Sequence, residues 1–484
     1  MYRRMMEGQL KLDIPFGVEL EAGNRWVKLS SIMPWEKIDE KYSENFKGDK
    51  GEEAKPGRLA FGALYIQSRL GITDEETVEQ IRETPSMQYF CGFDCYTTRK
   101  PFDSSLMVHF RKRITAEMMK EIAEEAYATD VKSAIKREES TDGKKEKDDD
   151  DDEGGGNKPK GTLLLDATCC PSDIHYPTDI GLMNHAREIT ERIIDELHEQ
   201  ASPEAQKPRT YRDVARRSYL KYAKARRPTY LQIRFALRQQ LQYVRRNLDT
   251  IGKQVEQGAS MNVLGDELYR KLLVISELYR QQKLMYDEKT HSIPDRIVSI
   301  SQPRLRPIVR GKAGTDVEFG AKVATAHIGG FSFIIHLDFD NFSEAKYLEA
   351  SAEEYKRLFG FYPKVIIGDK AYATNDNRNY CKSRNIRLSA PKRGRKSEED
   401  KENEKKQLYQ DGCLRNAIEG DYGVTKRKYG LALVMAKLYN TTLTVISFGF
   451  FVKNMERVLR LFCLLFFIHS VSFGMTWRLI WSVQ

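Results

Sequence analysis

Three carboxylates in this sequence have the type and setting to do chemistry. Asp166 ends the apolar run Thr162-Leu163-Leu164-Leu165, and Asp369 ends Lys364-Val365-Ile366-Ile367-Gly368. Glu419 lies in the helical stretch Arg415-Asn416-Ala417-Ile418-Glu419-Gly420. An apolar strand with an acid at its tip presents oxygen ligands at a sheet edge. Magnesium takes near-octahedral oxygen donors and usually only one or two carboxylates per ion, so three acids can flank and bridge a pair of ions. Such a pair activates an attacking hydroxyl and stabilises the leaving oxygen of a phosphodiester. Three like charges held together also repel and therefore attract cations. A strand-end Asp alone is as often a turn former, so the weight rests on the three together.

These acids need a framework. Alternating or continuous apolar runs predict strands at 162–168, 295–300, 317–323, 331–337, 364–369 and 386–390. Helical spacing predicts a long block from about Ile180 to Met285, a helix over Ser343 to Phe359, and a last one around Arg415 to Lys426 after a charged loop, Lys392 to Lys406. The order is strand, helical insertion, strands, helix, strand, helix: a mixed α/β domain with an insertion.

The insertion is strongly basic. Between Lys207 and Arg246 thirteen cations face a single acid, Asp213, with five tyrosines interleaved. That composition suits phosphate contact with stacking on bases or sugars. Arg216, Arg217, Arg226 and Arg227 are the candidate phosphate contacts. The N-terminal part reads as a helical bundle: Thr73-Asp74-Glu75-Glu76 is a capping-box-like start, and Ser104 or Ser105 is placed to cap a helix with Arg111, Lys112 and Arg113 on its outer face. Six consecutive acids, Asp148 to Glu153, followed by three glycines, mark a disordered linker. The expected division is a helical N-terminal domain at 1–135, a linker at 136–160, a catalytic domain at 161–440 with its insertion at about 185–290, and a C-terminal helix with an apolar tail at 441–484.

The chain of 484 residues is long enough for two or three structural units, and its formal charge of +9 favours polyanionic partners. Seven cysteines, without a second pair at zinc spacing near Cys91 and Cys95, read as thiols in a reducing compartment. The apolar stretch Leu461 to Phe473 is shorter than the roughly 20 residues needed to span a bilayer and reads as a buried terminal helix.

The motifs around the acids resemble bacterial insertion-sequence transposases of the DDE type. Asp166-Ala167-Thr168-Cys169-Cys170-Pro171 through Tyr176-Pro177-Thr178-Asp179 is similar to that family's first-Asp motif, and Gly368-Asp369-Lys370-Ala371-Tyr372 to its second. Arg306 to Lys312 and Glu318 to Lys322 resemble the strand-turn-strand between them. Arg415, Glu419 and Lys426 match a third motif in which an Arg stands four before the Glu and a Lys seven after it. The stretch from Thr73 to Asp103 resembles the family's helical N-terminal domain. The resemblance spans roughly Trp35 to Met455. It departs where the family often has a Tyr three before the Arg, here Gly412, and in the tail after about Arg460.

The resemblance implies an RNase H-like mixed-sheet catalytic core with a long helical insertion, preceded by an α-helical domain. It implies two Mg²⁺ or Mn²⁺ ions on Asp166, Asp369 and Glu419, supported by Arg415 and Lys426. Cleavage at transposon ends and strand transfer by a free 3′-hydroxyl follow, with terminal inverted repeats and target DNA as partners, a homo-oligomer on DNA, no stable membrane association, and a location on bacterial cytoplasmic nucleoid DNA. A metal-dependent nuclease without strand transfer, and an inactive DNA-binding remnant, share the same residues.

Overall fold

The computed structural model describes residues 20–46, 53–142, 158–199, 206–312, 315–391 and 397–481. Its helices and strands sort into two units. One comprises residues 1–171, 322–338 and 342–484, and the other 172–321 and 339–341.

The first unit opens with helices α1 (Arg25–Ile32), α2 (Trp35–Ser43), α3 (Gly57–Leu70), α4 (Asp74–Glu83), α5 (Pro85–Phe90), α6 (Leu106–Arg113) and α7 (Ala116–Asp142). Thr73 caps α4 as its sequence predicts, its hydroxyl accepting the Glu76 N–H at 3.2 Å. The expected serine cap of α6 does not form. Ser105 makes no side-chain cap, and the Asp103 carboxylate instead accepts the Ser105 N–H at 3.0 Å. The basic face of α6 is partly used inside the unit: Arg111 grips Asp74 at 2.6 and 2.8 Å, and Arg113 lies over the Phe46 ring. Helix α7 continues through Lys136, where a linker was expected; the acidic run and its glycines lie outside the described residues.

Strand β1 (Thr162–Pro171) follows. It runs five residues past Asp166, so this acid sits within the strand and not at its end.

The second unit holds α8 (Asp179–His198), α9 (Arg212–Ala223), α10 (Tyr230–Glu256), α11 (Gly265–Glu288) and β2 (Pro307–Lys312). Ile193, Val244, Ile275 and Leu278 are among its fully buried core residues. Asp179, in the first turn of α8, is held by Arg296 at 2.7 Å and Gln282 at 2.9 Å. Thr178 caps that helix by accepting the Gly181 N–H. The Thr178-Asp179 pair singled out in the sequence therefore starts and anchors α8. The strand expected at 295–300 is absent. Asp295 has φ +52°, and the Gln281 side chain takes the Ile297 N–H at 2.9 Å and donates to the Asp295 carbonyl at 3.3 Å, where a strand would have had a ladder partner.

Strand β3 (Thr315–Ile328) pairs its first residues with β2, antiparallel, in the second unit. Its remainder belongs to the first unit and pairs antiparallel with β4 (Phe331–Asp338) across Gly329-Gly330. Both glycines have positive φ, as a two-residue hairpin requires, and a Cβ on Gly330 would collide with the Arg457 guanidinium. The chain continues through α12 (Leu348–Phe359), β5 (Val365–Ile367), α13 (Asn375–Ser383), β6 (Arg387–Leu388), α14 (Glu398–Lys428) and α15 (Tyr439–Trp481). In the first unit the sheet order is β4-β3-β1-β5-β6, with β1, β5 and β6 parallel.

The charged loop expected up to Lys406 is helical from Glu398. Ser397 caps it, and three acids fill its first turn, where the helix dipole favours them. Helix α15 is part of the first unit's core. Phe448 and Phe451 pack on Phe61 at ring separations of 4.9 and 5.5 Å, and burial continues to Leu459. Among the described residues no helix is long and apolar enough to cross a membrane.

Candidate active site

Two parallel strands set the first two acids abreast. β1 pairs β5 with Thr162 opposite Val365, Leu163 opposite Ile366 and Leu164 opposite Ile367. The same offset carried two residues further places Asp166 opposite Asp369. Leu163 and Leu165 are buried with all of β5, which fixes the faces the intervening residues take. Asp166 is half-buried and accepts the Ala167 N–H at 2.9 Å. Asp369 is exposed, accepts the Lys370 N–H at 2.6 Å, and caps a single 3₁₀ turn, Lys370–Tyr372. Gly368 is required beside it, because a Cβ there would lie 2.7 Å from the Tyr372 ring.

Helix α14 supplies the third acid. Arg415 lies 3.5 Å from Asp369 and 3.7 Å from Glu419, so one guanidinium sits beside acids from the sheet and from the helix. Asp166 is within electrostatic reach of the same group. Burial raises its pKa above the ordinary carboxylate value, helped by the charges of Glu344 and Glu419, while the Ala167 N–H and Arg415 oppose the shift. Four of the sequence-predicted residues, Asp166, Asp369, Arg415 and Glu419, therefore share one electrostatic neighbourhood. Lys426 lies on α14 seven residues past Glu419, near the same face.

Glu344 escaped the sequence reading. It begins the short turn after β4 and pairs with Lys322 at 3.0 Å. An acid at a helix start is ordinary, and only the fold places its charge near Asp166. Tyr372 and Tyr422 form a buried floor. Desolvation pushes both phenols up, and the Asp166 charge adds to it.

The basic insertion divides by use. Arg212 and Lys207 bind Asp195 at 2.9 Å. Arg234 stacks on Tyr286 at 4.1 Å and Arg246 on Tyr211 at 4.6 Å. Tyr219 and Tyr222 pack on the unit's core. Most of the interleaved tyrosines thus serve the second unit's own packing instead of standing free to stack on bases. Arg216, Arg217, Arg226 and Arg227 are exposed, on α9 and in the turn that follows it.

Comparison with known proteins finds two matching segments. Residues 366–456 match the family described as Transposase DDE domain, and residues 16–113 match Transposase domain (DUF772). Two segments of the chain are thus similar to transposase domains, one of them the DDE domain. The DDE-domain match contains Asp369, Arg415, Glu419 and Lys426 and begins after Asp166, so the first acid rests on the strand register. The chain is also similar to an uncharacterized protein, ORF8 in the nfe locus of Rhizobium meliloti, 28% identical over 166 residues, 34% of this chain and 70% of that one. No solved structure matches.

The Arg415–Glu419 contact has a plain alternative, a partly exposed surface ion pair worth at most about 1 kcal/mol. Mutants separate the two. Arg415→Ala and Lys426→Ala are expected to lower DNA cleavage about tenfold or more while stability falls by no more than about 1 kcal/mol. Single-turnover assays and thermal melts measure both, and variants that cut normally and only melt slightly earlier would leave the surface pair as the sole role.

Proposed function

We propose that this chain is a transposase that cuts DNA at the ends of a mobile element and joins the freed 3′-hydroxyl to target DNA, using Asp166, Asp369 and Glu419. The observation that carries the reading is the single Arg415 guanidinium beside Asp369 and Glu419, with Asp166 on the neighbouring strand in matching register. The mixed sheet, an antiparallel pair followed by parallel strands reached through helices, supports the RNase H-like assignment. So does the helical unit, residues 172–321, inserted between β1 and the later strands.

The donor chemistry fits magnesium or manganese. Among the described residues no three His, Cys, Asp or Glu side chains converge closely enough to hold one ion together. Each such ion, however, takes only one or two carboxylates and fills its remaining positions with water. The acids already gather a cation, Arg415, and Asp166 has its pKa raised first by burial and less by the charges of Glu344 and Glu419. When bound, a pair of ions supplies an activated attacking hydroxyl and stabilisation of the leaving oxygen. The chain's own part is to hold Asp166 on β1 and Asp369 just past the end of β5, to aim Glu419 from α14, and to bring Arg415 and Lys426 to the phosphates. DNA is the partner, bound as a homo-oligomeric complex.

The test is a strand-transfer assay with the full chain and pre-cleaved 3′-hydroxyl ends taken from DNA bordering its gene. Joined products are expected with Mg²⁺ or Mn²⁺. Ca²⁺ is expected to support binding without chemistry, because its longer bonds and larger ligand number misplace the attacking oxygen. Cleavage without joining would turn the reading to a nuclease, and robust cleavage in a chelator would remove the metal from it.

A further inference from the structure

Helix α14 carries Glu419 but has little apolar surface to seat it. Of its 31 residues, Asp411, Ile418, Tyr422 and Thr425 are buried, and one of these is aliphatic. Apolar contact is non-directional, so so thin a stripe fixes the helix's rotation weakly. A slip of one residue would turn Glu419 by about 100° and move it about 1.5 Å.

Directional contacts bracket Glu419 instead. On one side Arg387 of β6 grips Asp411 with two bonds of 2.7 and 2.8 Å. On the other, Asp421 accepts the Lys453 ammonium of α15 at 2.5 Å and lies 3.3 Å from His327 Nδ1 of β3. Lys453 spends its other two donors on the Gly330 carbonyl at 2.9 Å and the Ser332 hydroxyl at 3.0 Å. The Tyr422 hydroxyl meets Thr325 Oγ1 at 2.6 Å, and that oxygen lies 3.1 Å from His327 Nε2. Next to Lys453, Asn454 clasps the Ser332 backbone through both its N–H and its carbonyl. Thr325, His327, Ser332, Lys453 and Asn454 are at most 4% exposed.

Burying a lysine and a histidine beside a part-buried aspartate carries a desolvation cost that apolar residues of similar volume avoid. What the polar set adds is direction, since each bond has one geometry, and registry is the best-attested use of such groups. We propose that Asp421, Lys453 and His327, with Tyr422 and Thr325, are positioning residues that fix the rotation and axial setting of α14 against β3, β4 and α15. They thereby aim Glu419 at Asp369 and Asp166. The inference rests on the reading of those three acids as the metal-holding set.

The experiment is a Mn²⁺ titration of the full chain followed by electron paramagnetic resonance, with thermal melts in parallel. Tyr422→Phe/Thr325→Val removes the Tyr422–Thr325 bond and the Thr325 contact with His327 Nε2, with little change of volume. Asp421→Asn/Lys453→Gln removes the charges as a pair. Thr444→Val is the control: it deletes hydroxyl bonds to the Arg111 and Ile114 carbonyls in the same unit, away from α14. Both double variants are expected to raise the Mn²⁺ half-saturation about fivefold or more, and the control to stay within about twofold, at comparable losses of melting temperature. A control that shifts as much, or double variants that bind like the wild type, would overturn the proposal. If the charge-pair variant fails to fold, the Tyr422/Thr325 variant decides. Failure of the underlying reading looks different: wild type and Asp369→Asn would then bind Mn²⁺ alike.

Discussion

Asp166→Asn, Asp369→Asn and Glu419→Gln are each expected to lower DNA cleavage about a thousandfold or more, while DNA affinity stays within about twofold. Each change removes one negative charge and keeps the side chain's shape. The backbone bonds that hold Asp166 and Asp369, from Ala167 and Lys370, survive in an amide, whose oxygen still accepts. Folding therefore has little reason to suffer. Metal-assisted phosphoryl chemistry has much to lose, because several kcal/mol of charge stabilisation pass through these oxygens. The three variants should also differ in one respect. Asp166 is half-buried with its pKa raised by burial, so Asp166→Asn relieves a desolvation cost and is expected to melt no earlier than wild type. Single-turnover cleavage with matched binding assays checks the set, and normal cutting by any one of them removes that residue from the site.

The sequence carried the acids and their strands because both signals are local. An apolar run ending in Asp is visible at 162–166 and 364–369, and the parallel register that aligns them follows from burying the same faces. The Arg415-to-Lys426 spacing was equally legible, since helical period alone puts offsets of four and seven near one face. What failed was also physical. The segment 295–300 looks like a strand by composition, yet a glutamine side chain takes the bond a ladder would have made. The charged run before Lys406 looks like a loop because it buries almost nothing, and it is helical through capping and dipole-matched acids. Glu344, whose charge meets Asp166, and the Lys453–Asp421–His327 cluster were out of reach, because they join residues separated by up to 178 positions that only the tertiary fold brings together.

Charge reversal at Arg216, Arg217, Arg226 and Arg227 is expected to weaken DNA binding about a thousandfold at moderate salt and to flatten the salt dependence by roughly one power of concentration per lost phosphate contact. The sequence singles out these four, and their surroundings set them apart from the other cations. Arg212 and Lys207 are tied to Asp195, and Arg234 and Arg246 lie on tyrosine rings, so reversing those would confuse folding with binding. On α9 only Ala215 is buried, and the two arginines beside it face solvent. The turn after α9 carries the other pair, also exposed. A helix so thinly anchored and so densely cationic repels itself, and in the absence of a polyanion that repulsion is uncompensated. Glutamate at all four positions should therefore leave the melting temperature unchanged or raise it slightly, while binding collapses for matched and unrelated DNA alike. Titrations at several salt concentrations read both effects. Loss of affinity confined to one DNA sequence would mean base recognition instead of phosphate grip, and an unchanged salt slope would return the block to a solvated surface.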